Sequence, residues 1–162
     1  MGRMPRHELD DQQRQLDVAW RTHGPAAMRF ATVLAGPADA PDIATTAFLR
    51  VTARPGWTSI EHLDRYLLRA VRNEARSLAR SRQRRWRRDL AAVTADETTM
   101  TPRDLDVLRA VASLSSQQRS VVFLAYWQDM TEADIATTLD LSRGSVHRTL
   151  ARARTVLRKA LT

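Results

Sequence analysis

Ser142 to Arg154 read "SRGSVHRTLARAR", and they follow "MTEADIATTLDL" at Met130 to Leu141. Stepped as a helix at about 100° per residue, Val146, Leu150, Ala153 and Leu157 fall within roughly 60° of one another. That stripe predicts the buried side. Gly144, Arg148, Ala151, Arg152 and Thr155 fall opposite, with Ser145 and His147 flanking. Small residues between arginines let a helix come close to a surface while the guanidinium groups reach phosphates or guanine edges. The preceding segment brings Ile135, Ala136 and Leu139, and Leu141 fills the turn. A helix, a short turn and a capped basic helix form the helix-turn-helix arrangement. An ordinary helical hairpin with a solvated basic face has the same pattern.

Working outward, helix starts are marked by side chains that bond the first free amides. Ser115 and Gln118 have the spacing of a capping box, and Thr131 and Asp134 repeat it. Ser142 is placed to cap the last helix, with Asp140 at the turn. Helical periodicity also runs through the first half, where strand signals are weak. Gly24-Pro25 predicts the end of a first helix from Glu8 to His23, and Gly36-Pro37 the end of a second from Ala26 to Ala35. A third starts near Pro41, carries Ile43, Ala47, Phe48 and Val51 on one face, and stops at "ARPGW". A long fourth spans Glu61 to Arg88. The expected fold class is therefore all-α.

Charge divides the chain. Its 162 residues hold 26 basic and 18 acidic side chains, a surplus of +8 that favours a polyanionic partner. Lys159 is the single lysine. Arginine suits phosphate and guanine, and arginine in place of lysine is also what a GC-rich genome encodes. From His62 to Arg88 ten arginines stand against Asp64 and Glu74. From Asp89 to Asp106, five acidic residues stand against Arg103, and "TADETTMTP" has no periodic apolar face. This predicts two small helical domains, 8–88 and 103–162, joined by an acidic linker at 89–102. The second would open with a helix at Arg103–Ala112.

Several function classes lose support. With no cysteine there is no thiolate metal site, and His7, His23, His62 and His147 lack ligand spacing. No metal or cofactor is expected. Nothing resembles a phosphate-cradling glycine loop or a nucleophile beside a base, so no catalysis is expected. The N-terminus has no apolar signal region, and "VVFLAYW" is too short to span a bilayer. A cytoplasmic protein without membrane insertion is the expectation.

The segment from Ser113 to Leu161 resembles region 4 of bacterial sigma factors. The family pattern is "L-P-x-x-x-R-x-V-x-x-L", then "S-x-x-E-I-A-x-x-L-G-I-S-x-G-T-V-K-S-R-L-x-R-A-R". Leu114, Arg119, Val122, Ile135, Ala136, Leu139, Ser142, Gly144, Val146, Leu150, Arg152, Ala153 and Arg154 match it. Asp140 replaces the turn glycine, and His147 and Thr149 stand where lysine and arginine are usual. "ADAPDIATTAFLRV" and "LDRYLLRAVRNEARSLARSRQRR" resemble region 2 of the same family. With no room for a region 3 domain, the chain resembles the extracytoplasmic-function group, nearest its actinobacterial SigE-like branch.

The resemblance implies partners and roles. Core RNA polymerase would be the main partner, through its β′ clamp helices and its β subunit. Asp42, Thr45, Thr46 and Leu49 occupy the clamp-docking positions, although Thr45 and Thr46 replace the usual glutamine and acidic residue. Promoter DNA would be the second partner. The fourth helix, with Arg65, Arg69, Arg72, Asn73, Arg76 and Arg80 and the loop Pro55–Ser59, would engage the −10 element. Trp57 would stack on a flipped base there or pack in the core. The Arg80–Arg88 cluster would be a phosphate clamp or a solvated helix end. The last helix would read the −35 element through Arg143, Ser145, His147, Arg148 and Arg152. An anti-sigma factor is a partner many relatives have. The alternative is a sigma-like DNA-binding regulator that no longer recruits polymerase, motivated by Thr45 and Thr46.

Overall fold

The computed structural model describes residues 6–86, 110–111 and 113–161. Among them there is no strand. The helices are α1 (Arg6–Ala35), α2 (Ala40–Thr52), α3 (Leu63–Trp86), α4 (Ser116–Tyr126), α5 (Glu132–Leu139) and α6 (Arg143–Leu161). A 3-10 turn at Trp57–Ser59 lies between α2 and α3. The chain divides into two compact units, residues 1–75 and 76–162, the division falling within α3. The expected linker at 89–102, Arg87 and Arg88, and most of the expected Arg103–Ala112 helix lie outside the described residues. Ala110 and Val111 are helical.

In the first unit, α1 and α2 pack side by side. Ala27, Phe30, Ala31 and Leu34 of α1 are buried, as are Ile43, Ala44, Ala47, Phe48 and Val51 of α2. Leu67, Leu68, Val71 and Ala75 are the buried apolar positions of the first part of α3. An ion pair from Arg50 to Glu74 ties α2 to α3.

The expected break at Gly24-Pro25 does not occur: α1 is one helix of 30 residues with Pro25 inside it. An interior proline forfeits one backbone bond and crowds the carbonyl four residues back, a cost of about 3 kcal/mol. The buried face continues across this point, from Ala19 to Ala27, Phe30 and Ala31. Burying Phe30 alone contributes about 1.5–3 kcal/mol, so packing outweighs the local defect. Gly24 serves contact rather than chain reversal. A Cβ there would sit 2.8 Å from the Trp20 ring. That ring in turn meets Phe48 edge-on at a centroid distance of 5.0 Å, so it has little freedom to retreat.

The second break is real. Gly36 adopts a left-handed φ of 89°, and its amide donates to the Thr32 carbonyl at 2.8 Å. That is the usual helix ending where a residue without Cβ avoids a steric penalty. α2 then starts with Pro41 in its first turn. It ends before "ARPGW", where Gly56 is again left-handed at φ 74°.

These two neighbours have opposite effects on stability. Gly24→Ala should destabilise the chain by about 1–2 kcal/mol, because overpacking against Trp20 outweighs the better helix propensity. Pro25 is exposed, and Pro25→Ala should stabilise by about 1–3 kcal/mol by restoring a helix bond. Urea unfolding of the full chain checks both signs.

Candidate nucleic-acid interface

The second unit is built around α6. Val146, Leu150 and Ala153 are buried against α4 and α5, whose own buried apolar residues are Val121, Val122, Phe123, Leu124, Ile135, Ala136 and Leu139. Leu157, expected in the same stripe, is only half-buried. It lines an apolar groove of about 530 Å³ with Val111, Val122, Tyr126, Trp127, Arg154 and Arg158.

Three caps set the helix starts. The Ser115 hydroxyl accepts from the Gln118 amide at 3.2 Å while the Gln118 side chain accepts from the Ser115 amide at 2.8 Å. Thr131 and Asp134 make the same exchange at 3.2 and 3.3 Å. The Ser142 hydroxyl accepts from the Ser145 amide at 3.1 Å. Between α5 and α6, Asp140 takes the left-handed conformation at φ 55° and ψ 54°. Aspartate tolerates it better than most residues with a Cβ. The Leu141 amide then donates back to the Ala136 carbonyl at 2.9 Å.

This turn aims α6. Arg143, Gly144, His147, Arg148, Ala151 and Arg152 are exposed, and Ser145 is half-buried. Arg148 and Arg152 therefore stand on the side opposite the buried stripe, His147 and the half-buried Ser145 flank it, and Arg143 is exposed at the first position of the helix. His147 is not free-standing: its Nδ1 lies 3.1 Å from Glu132 Oε1 at the start of α5. Sequence spacing gives no hint of this pair, since the two residues are on different helices.

α3 departs from the expected unbroken arginine stripe. Arg69, Asn73, Arg76 and Arg80 are exposed and Arg65 is half-buried, but Arg72 is only 7% exposed. A helical wheel cannot separate Arg72 from its neighbours, because the depth of the packing on either side decides it. The side chains of Arg82, Arg84 and Arg85 lie outside the described residues, so the clamp reading of Arg80–Arg88 rests on Arg80 here. Trp57 is 8% exposed. Of the two roles expected for it, core packing is the one present in this conformation. Beside it, Arg54 donates to the Tyr66 hydroxyl, with its guanidinium carbon 5.6 Å from the ring centroid. Arg50, Arg54, Tyr66, Arg69, Asn73 and Glu74 line one cleft of about 480 Å³ with Val51 and Ala70.

The four expected polymerase-docking residues stand together. Asp42, Thr45, Thr46 and Leu49 are all exposed along the outer face of α2, and Leu49 is 58% exposed. Pattern reasoning missed one surface. Tyr126 and Trp127 end the apolar run "VVFLAYW", yet they are 52% and 59% exposed. Trp127 stacks on Phe123 at 6.0 Å, and Arg154 Nε donates to the Tyr126 hydroxyl at 2.7 Å.

The turn makes a direct prediction. Ser142→Ala should cost about 1 kcal/mol and speed hydrogen exchange at the Ser145 amide. Asp140→Gly should be tolerated, whereas Asp140→Val should cost about 1–2 kcal/mol by forcing a β-branched residue into the left-handed region. Thermal unfolding with amide exchange measures both.

Comparison with known proteins agrees with this architecture. Residues 104–157 match the family described as "Sigma-70, region 4". The chain is 34% identical over 158 residues to the RNA polymerase sigma-E factor of Streptomyces coelicolor, a match covering 87% of this chain and 82% of that one. It is 33% identical over 151 residues to the sigma-E factor of Streptomyces avermitilis, with the same coverage of 87% and 82%. Among solved structures, the fold is similar to the sigma factor RpoE from Bartonella quintana, in co-crystal with the anti-sigma factor NepR. The TM-score is 0.72 at 23% identity, covering 93% of this chain and 96% of that one. With a capped, outward-facing basic helix at its end and these relatives along most of its length, the chain belongs to the sigma-70 family of RNA polymerase sigma factors, alongside the sigma-E factors of Streptomyces.

Proposed function

We propose that this chain is an alternative sigma factor that joins core RNA polymerase and directs it to a set of promoters. The observation that carries the proposal is α6: a helix capped at Ser142, buried through Val146, Leu150 and Ala153, and presenting Arg143, Arg148 and Arg152 outward. Such a helix can enter the major groove, where arginine forks onto guanine O6 and N7. Residues 103–162 would read the −35 element this way, with Arg148 the leading base contact. Residues 8–88 would hold polymerase and the −10 element. There the exposed Arg69, Asn73, Arg76 and Arg80 would take the DNA. Arg65 would support them from the edge, and Arg72 and Trp57 would act from within the packing. Asp42, Thr45, Thr46 and Leu49 would meet the β′ clamp helices. The acidic stretch at 89–102 would repel DNA and so connect the two modules without binding the duplex.

The protein would do this without catalysis of its own, in the cytoplasm, where polymerase and promoter are. Among the described residues no helix is long and apolar enough to cross a membrane. An anti-sigma factor is a natural third partner, since the Bartonella relative in fold is seen bound to one. A second reading has one observation in its favour: the exposed Thr45 and Thr46 cannot pair with a polymerase arginine as an acidic residue would. On that reading the chain binds DNA but does not recruit polymerase.

The deciding experiment adds the purified chain to core RNA polymerase and tests initiation on promoters enriched from genomic DNA. Binding with initiation supports the sigma reading, and DNA binding without polymerase binding supports the regulator. Within the first outcome, Arg148→Ala should cost about 1–3 kcal/mol at one base position and relax specificity there. Arg80→Ala should weaken all sequences alike and lower the salt slope by about one. Leu49→Ala should weaken polymerase binding about tenfold, as expected for losing one buried leucine. Thr46→Glu should strengthen it.

A further inference from the structure

The contact between His147 and Glu132 joins the recognition helix to the first residue of α5. Its Nδ1···Oε1 distance is 3.1 Å, and the imidazole remains largely exposed, at 70%. A carboxylate has no proton to give and only accepts. The hydrogen in this contact therefore belongs to His147 Nδ1. That assignment settles the other end of the ring. In the neutral imidazole one nitrogen carries the proton and the other accepts, and which is which follows from the bond the first one makes. With Nδ1–H directed to Glu132, the neutral ring offers the bare lone pair of Nε2, which diverges from Nδ1 across the five-membered ring.

His147 lies at the flank of the face that carries Arg148 and Arg152. An acceptor in that position differs in kind from its neighbours, since guanidinium groups only donate. In the major groove the donors are the N6 amino group of adenine and the N4 amino group of cytosine, while guanine shows only acceptors. We infer that Glu132 is a positioning residue for promoter reading: it fixes His147 in the Nδ1–H form, so that Nε2 accepts from an adenine or cytosine amino group. This rests on α6 reading the −35 element. Glu132 touches no DNA in this scheme and acts through His147. Its place in the first turn of α5 also suits the positive end of the helix dipole, which is a purely structural role that the test must separate.

The test uses the full chain with core RNA polymerase and a promoter duplex enriched by that holoenzyme, with each −35 base pair replaced in turn by the other three. The wild type should prefer adenine or cytosine at one position by about tenfold, a typical single-pair discrimination. His147→Ala and Glu132→Ala should each flatten that preference to about twofold or less, and the double variant should add nothing further. Glu132→Gln keeps the size of the residue and the start of α5. It should reduce the preference partially, because an amide offers a donor as well as an acceptor. Ring-nitrogen NMR of His147 should show the Nδ1–H form in the wild type and lose it in Glu132→Ala. Equal affinity loss for all sequences in both Glu132 variants, with the His147 tautomer unchanged, would reduce Glu132 to a helix-start residue. A guanine preference lost with His147 would likewise overturn the acceptor assignment. If the wild-type holoenzyme shows no −35 preference at all, the promoter-reading role of α6 fails, and this inference fails with it.

Discussion

The orientation of α6 depends on a turn of three residues. Asp140 must enter the left-handed region, Leu141 must bond back to Ala136, and Ser142 must supply the cap before the helix can start where it does. Shifting that start by one residue would rotate every side chain by about 100°. Val146 and Leu150 would leave the core and Arg148 would turn toward it. The basic face is thus a consequence of turn geometry and buried apolar residues, more than of the arginines themselves. Those arginines are expressed outward because Val146, Leu150 and Ala153 have claimed the inside.

The C-terminal half was largely legible in the sequence, for a physical reason. Each of α4, α5 and α6 is opened by a residue whose side chain bonds the amide three positions on, and such local bonds leave a spacing that can be read. The two capping boxes and Asp140 are found as expected. What could not be read is the pairing of Glu132 with His147, or the exposure of Tyr126 and Trp127 at the end of an apolar run. Both depend on which helix lies alongside, and local spacing carries no such information.

The N-terminal half shows the limits of punctuation. Gly24-Pro25 and Gly36-Pro37 look alike in the sequence, yet the first lies inside α1 and the second ends it. The difference lies in the flanks. Buried residues on one face continue across Gly24-Pro25, while Gly36 is followed by "PAD" before α2 begins. Arg72 is the counterpart among charges: it shares a face with Arg69 and Arg76 but sinks into the packing. Among the expected site residues, the four on α2 and Arg148 and Arg152 on α6 stand as a wheel would place them. Arg72 does not, because burial depends on neighbouring helices.

The outward faces of α3 and α6 carry arginine, and the chain's single lysine, Lys159, is exposed in the last turn of α6. A guanidinium keeps its charge across the physiological range and offers no amine for acetylation. Attraction to a polyanion through these arginines is thus indifferent to cellular acidity, and lysine-modifying enzymes find only Lys159 on α6. Two levers are left: the concentration of competing ions, which screens the faces, and physical occlusion by another molecule.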